Sequence, residues 1–236
     1  AQENKLLTSP PLTRSIRRNG IKSLAEQAYE ALEEKFVMLE LIPGEIYTEA
    51  HLSDMVALGR TPVRDAILRL EYDQLLSVIP RQGITIIPLD FERDLLAIDV
   101  REAVEKMIIL RATHLATDIE RKRLYRMADE MEKASVSKDM LTFTRLDNLF
   151  HEFVADCAKQ PFATKILKPL HSLSRRAGTI LFKNQFDRQI EEAPRTHYIL
   201  MRAMADGNTG KVLIAFQELI ERARRVTREL AEEQNF

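Results

Sequence analysis

The chain has 236 residues, 45 % of them hydrophobic, and a formal net charge of −1. That balance excludes a uniformly basic nucleic-acid coat, so any surface for nucleic acid must be local. The single cysteine, Cys157, excludes an internal disulfide framework and fits a reducing compartment. No apolar run reaches the ~20 residues of a membrane span. The sequence does not open on a signal-peptide core. Apolar residues recur at helical spacing, so a soluble, mainly helical, cytoplasmic protein is expected.

Residues 1–20 contain Pro10, Pro11 and Gly20 without sustained periodicity, and Arg14, Arg17 and Arg18 face a single acid, Glu3. This reads as a mobile basic arm, which could lie along a phosphate backbone or stay a solvated tail. Ser23-Leu24-Ala25-Glu26 is a capping box and opens the first helix. Its buried stripe is expected at Leu24, Ala28, Ala31, Leu32 and Phe36. Pro43-Gly44 is a turn, and Thr48 caps a second helix with Leu52, Met55 and Val56 inward.

Leu58-Gly59 then leads into Arg60-Thr61-Pro62-Val63-Arg64. Here Thr61 is expected to cap a third helix, with Pro62 at its first position and Val63, Ala66, Ile67 and Leu70 as its apolar stripe. Arg60 and Arg64 stand off that stripe. Two guanidiniums at a helix mouth can grip phosphate or a base edge, or can be ordinary solvated arginines. Two short helices joined by a tight turn form the helix-turn-helix pattern. Leu76–Ile79 and Ile84–Ile87, flanking Pro80-Arg81-Gln82-Gly83, read as a hairpin with Arg81 at its tip and Gly83 free to take a positive φ. A basic hairpin in this place is a wing. The acids Glu26, Glu30, Glu33 and Glu34 sit instead on the first helix, a distribution that suits a specific reader.

Pro43-Gly44-Glu45, Leu52-Ser53, Arg60 to Ala66, Leu70-Glu71 and Pro80 to Gly83 occur in order, and together residues 22–88 resemble the winged-helix domain of GntR-family transcription regulators. The resemblance implies DNA contacts at Arg60, Thr61, Arg64 and Gly83, to which the wing reading adds Arg81. Ala50 stands where the family often has an arginine, a departure that bears on the operator sequence but not on the binding mode.

Beyond Pro88, helices are expected over 91–116, 119–134, 139–158, 161–182, 190–206 and 209–231, punctuated by Pro161, Pro194 and Gly207-Asn208. Val104, Met107, Ile108, Ile109 and Leu110 place apolar residues on more than one face, which buried packing or a dimer seam would absorb. Asp147 and His151, four apart, share a helix face among Leu146, Leu149, Phe150 and Phe153. Such groups need a partner. They form either a buried hydrogen-bonded pair or, with His197 from a later helix, an Asp/His/His set for zinc, nickel or manganese. Arg101, four before Glu105, is either a bidentate clamp for a carboxylate or half of an ordinary helix pair. Cys157 reads as inert packing. His51 and His114 carry no signal beyond packing or surface.

Arg145-Leu146-Asp147, followed by Phe150-His151, resembles the FCD effector domain of the FadR-type branch of the GntR family. This resemblance implies a metal at Asp147, His151 and His197 and an effector contact at Arg101. The fourth ligand position aligns with Leu219, so three protein ligands are left, with water or effector to complete the set. His171 could substitute for the missing ligand, but its local pattern does not match, and it is expected on a helix surface.

The expected architecture is mainly α. An N-terminal winged helix-turn-helix with a small β-hairpin wing spans 21–90, and a C-terminal all-α bundle of FCD type, for effector binding and dimerisation, spans 91–236. The expected function is a homodimeric, ligand-responsive transcriptional repressor that binds double-stranded operator DNA and senses a small carboxylate metabolite through a divalent metal. The alternative is a metal-dependent enzyme acting on a small organic acid. Against it, the sequence has no HExxH and no well-placed second carboxylate.

Overall fold

The computed structural model describes residues 22–183 and 187–234, without the side chains of 187–191 and 234. The expected basic arm over residues 1–20 lies outside the described residues. The first helix, α1 (Leu24–Val37), starts where Ser23 Oγ accepts the Glu26 N–H at 3.1 Å. The Glu26 carboxylate does not close the box and instead accepts from Arg69 at 2.8 Å. Ala28, Leu32 and Phe36 are buried as expected. Leu24 is not, at 57 % exposure, and Tyr29, Glu33 and Val37 are buried in addition. The cause is a second neighbour, a helix of the C-terminal half that lies along α1 and moves its buried arc.

A two-residue strand, β1 (Ile46–Tyr47), comes next and was not expected, since two residues give no alternation to read. Helix α2 (Glu49–Val56) is capped by Thr48, as predicted. Ala57 turns the chain through a left-handed conformation (φ 54°), and α3 (Arg60–Tyr72) begins immediately. Its N-cap is Gly59, with no side-chain cap bond, so the expected Thr61 cap is not made. The turn at Ala57 brings the chain into the helix earlier, leaving Thr61 and Pro62 already inside its first turn. Val63, Ala66, Ile67 and Leu70 are all buried, as expected. Strands β2 (Leu76–Ile79) and β3 (Gly83–Ile86) form the hairpin, and β1 adds to β3, giving an antiparallel sheet in the order β1-β3-β2. Helix stripes and sheet close on one core around Leu32, Leu52, Leu70 and Ile86.

The remaining elements are α4 (Phe91–Leu115), α5 (Asp118–Ser137), α6 (Met140–Cys157), α7 (Ala163–Lys183), α8 (Asp187–Ala205) and α9 (Thr209–Gln234). Asp90, Thr117 and Asp139 cap the first three, each accepting a backbone N–H. Helix α8 starts at Asp187, three residues before the expected 190, and Pro194 lies inside it. Ile108, Met131, Phe150, Met201, Phe216 and Ile220 belong to the main core. Burying a side chain of this size contributes about 1.5–3 kcal/mol.

Helix α7 belongs to both halves. Its Leu173 is buried in the winged-helix core. Arg176 lies over the Phe36 ring at 4.6 Å and donates to the Ile87 carbonyl at 3.1 Å, and Lys183 donates to the Met38 carbonyl at 2.9 Å. Among the described residues, no helix is long and apolar enough to cross a membrane.

Candidate functional site

The expected DNA contacts are at the surface. Arg60, Thr61, Arg64 and Arg81 are exposed, and Gly83 is half-buried. Arg64 forks onto the Glu49 carboxylate of α2, with Nε and Nη2 donating at 3.0 and 3.1 Å. That pair orients the guanidinium without burying it. Arg81 occupies the wing tip with φ 65°. Gly83 has φ 136°, and a Cβ there would stand 2.7 Å from the Tyr47 carbonyl oxygen. Glycine is therefore required for β3 to run against β1, whatever else it touches.

The second cluster is buried. Asp147 and His151 project from α6, His197 from α8, Glu105 and Arg101 from α4, and His171 and Arg175 from α7. Asp147 Oδ1 lies 3.3 Å from His151 Nε2 and 2.7 Å from His197 Nε2. The His151 and His197 rings meet edge to face at 83°. His197 Nδ1 donates to the Ala193 carbonyl at 2.7 Å, which turns its Nε2 toward Asp147. That Nε2 is buried and, although close to Asp147, makes no directed hydrogen bond. A buried nitrogen in this state costs about 1–3 kcal/mol. A divalent cation shared by Asp147, His151 and His197 would relieve it, and the donor set suits zinc, nickel or manganese. Glu105 Oε1, 3.0 Å from His151 Nδ1, stands where an outer carboxylate orients a ligating imidazole.

Glu105, His151 and His171 also lie close together, but they do not form a second centre. The two rings are stacked at 3.7 Å and only 23° apart in plane. Lone pairs in nearly parallel planes converge far beyond the ~2 Å of a metal–nitrogen bond. Burial, then His151, pushes the His171 pKa down to about 3, so this ring is neutral. For Glu105, burial pushes upward, but Arg101 foremost, with the neighbouring His151, outweighs it, holding the carboxyl well below its usual range. Burial opposes the charge on His151 too, and Asp147 and Glu105 overcome it, raising its pKa.

A cavity of about 80 Å³ opens beside this cluster, lined among others by Arg101, Asp147, Arg175, His197, Leu219 and Arg222. Leu219, at the aligned fourth-ligand position, is part of this wall. The helix-pair reading of Arg101 holds: it donates to Glu105 at 2.6 Å, both side chains being buried, and it also lines the cavity. His171 corrects the expectation of a surface residue, being 4 % exposed. Alternate faces of α7 are covered by α1 and by the helical bundle, so its outer side could not be told from periodicity. Arg175 and Arg222 were also missed. The one available signal was the His171–Arg175 spacing of four, the same as that of Asp147 and His151.

The structure joins a winged helix-turn-helix to an all-helical domain that carries a buried histidine–carboxylate cluster. Residues 24–86 match the family described as bacterial regulatory proteins, gntR family, and residues 96–230 match the FCD domain. The chain belongs to the FCD-domain branch of the GntR family, a family of regulators and not of enzymes, which sets the metal-dependent enzyme aside. It is 24 % identical over 149 residues to the HTH-type transcriptional repressor RspR of Escherichia coli K12, a match covering 62 % of this chain and 65 % of RspR. It is 29 % identical over 164 residues to a regulator from a ttuE-ttuC′ intergenic region of Agrobacterium vitis, covering 65 % of this chain and 92 % of that one. Thus the chain spans about two thirds of RspR's length. Among solved structures, E. coli McbR/YncC superposes with a TM-score of 0.78 at 19 % identity, covering 89 % of this chain and 100 % of that one, and shows the same fold.

Proposed function

We propose that the protein is a ligand-responsive transcriptional repressor, homodimeric and cytoplasmic. Residues 21–90 read operator DNA, and residues 91–236 bind the effector and the partner protomer. The observation that carries this reading is a buried Asp147–His151–His197 set opening onto a cavity whose wall, α7, also seats the winged helix.

At the surface, the Arg60 and Arg64 guanidiniums and the Thr61 hydroxyl, at the mouth of α3, are available to base edges and phosphates. Arg81 and Gly83 at the wing approach the adjacent backbone or minor groove. In the sensor half, Asp147, His151 and His197 would hold a divalent metal, and Leu219 leaves the next position to water or effector. When bound, the metal supplies positive charge for an effector carboxylate. Arg101, held by Glu105, presents its remaining N–H groups to the same ligand. The effector changes operator affinity only by its differential affinity for the two arrangements of the winged helix.

Selection of duplexes from a random pool by the full chain tests the reading. The expected product is a near-palindrome with half-sites about one helical turn apart. On that duplex Arg64→Ala should cost about 1–3 kcal/mol, or roughly 5–150-fold in affinity. A pool without enrichment, or an Arg64→Ala protein that binds as the wild type does, would overturn it.

A further inference from the structure

Arg175 of α7 lines the cavity and has a second attachment that the metal set does not explain. Its Nη1 donates to Asp147 Oδ2 at 3.3 Å, and its Nη2 donates to Glu33 Oε1 at 2.5 Å. Glu33 lies on α1, in the winged helix, and Ser172 Oγ donates to the same oxygen at 2.6 Å. All three charged side chains are buried, at 5 %, 6 % and 7 % exposure for Arg175, Asp147 and Glu33. A single guanidinium therefore joins a candidate metal ligand to the first helix of the other half.

A buried carboxylate deprived of its cation is strongly disfavoured, so Glu33 is comfortable in this interface only while Arg175 faces it. The neighbouring Glu34–Arg145 pair, at 2.6 Å, joins α1 to α6 but is largely exposed and takes no part in the cavity wall. Exposed pairs of that kind contribute little. Arg176, Ser172 and Lys183 also join α7 to α1, but they are not part of the cavity wall, whereas Arg175 both lines the cavity and holds a charge on α1.

We propose that Arg175 is an effector-binding residue shared with the DNA-binding domain: an anion entering the cavity draws its guanidinium from Glu33 and thereby unseats α1 from α7. The inference rests on reading the cavity as the effector site. The ligand chemistry is that of a carboxylate or phosphate, whose paired oxygens match the guanidinium fork. Because Glu33 and the anion compete for one cation, reciprocity requires that loss of the Glu33 charge strengthen anion binding.

The test uses the full chain, metal-free and zinc-loaded, titrated with acetate, succinate and inorganic phosphate by calorimetry. Amide hydrogen exchange over residues 24–37 is then followed with the tightest binder at saturation. In the wild type, the anion should raise exchange in α1 by about tenfold. Glu33→Gln should bind the same anion about fivefold tighter or more, with no further rise in exchange, while Glu34→Gln behaves as the wild type. Arg175→Lys, which keeps the charge but not the fork, should bind it more weakly. An anion that binds the wild type and leaves α1 exchange unchanged overturns the sharing and leaves the effector site standing. So does equal affinity in Glu33→Gln and Glu34→Gln. If none of the three anions binds the wild type with or without zinc, the sharing and the effector-site reading fall together.

Discussion

Leu219 determines how open the proposed metal position is. Its side chain is 4 % exposed and shares the cavity wall with Asp147 and His197, so under the proposed function the protein would supply two nitrogens and one oxygen where a fourth donor would close the set. Three protein ligands and an open position hold metal more weakly than four, and admit an exogenous donor. Leu219→His should therefore tighten zinc binding by about tenfold or more, read by competition with a chromophoric chelator, at a modest cost in stability from the lost apolar burial. An unchanged zinc affinity would mean that position 219 does not face the ion. At this scale the sequence was legible where residues act in pairs on one helix: Asp147 with His151, and Arg101 with Glu105. It was opaque where the partner arrives from another helix. Nothing near His171 announces that its ring will stack on His151, and nothing near Glu33 announces Arg175, which is 142 positions away.

Helix boundaries were legible where their signals are local: Ser23 and Thr48 cap where their chemistry says they should. Thr61 misled because the αL turn at Ala57 brings the chain into α3 at Gly59, two residues before the expected cap. The strand β1 was invisible, yet it covers one edge of the wing. Ile46 and Tyr47 pair with Thr85 and Ile84, and Gly83 lies at the end of that contact with its α-carbon against the Tyr47 carbonyl. Gly83→Ala should therefore destabilise the winged helix by about 1–3 kcal/mol, from left-handed strain combined with a 2.7 Å clash onto backbone. Urea denaturation measures it. A midpoint equal to that of the wild type would show that β1 yields to the methyl group, and any loss of DNA binding would then come from the contact itself.

A regulator that reads a palindrome needs two copies held in register, and α4 carries the surface best suited to that. Leu96, Val100 and Met107, spaced four and seven residues apart, fall on one stripe and are 68 %, 49 % and 50 % exposed. The opposite face of α4 is spent on Ile98, Ile108, Ile109 and the buried Arg101–Glu105 pair, so the stripe contributes nothing to the protomer's own core. Apolar residues aligned on an exposed helix face mark a contact with another surface, and a two-fold axis lets the same stripe serve both copies. Val100→Glu combined with Met107→Glu would set like charges against each other across that axis without entering the core. Light scattering after size exclusion should show the wild type as a dimer and the double variant as a monomer, with thermal unfolding of the protomer little changed. Because the second half-site contact is intramolecular only in the dimer, affinity for the two-half-site duplex should fall by about a hundredfold or more, while a single half-site is bound equally by both proteins. A dimer that survives both charges would move the seam away from α4. A monomeric wild type that still binds the palindrome tightly would remove the need for a seam altogether.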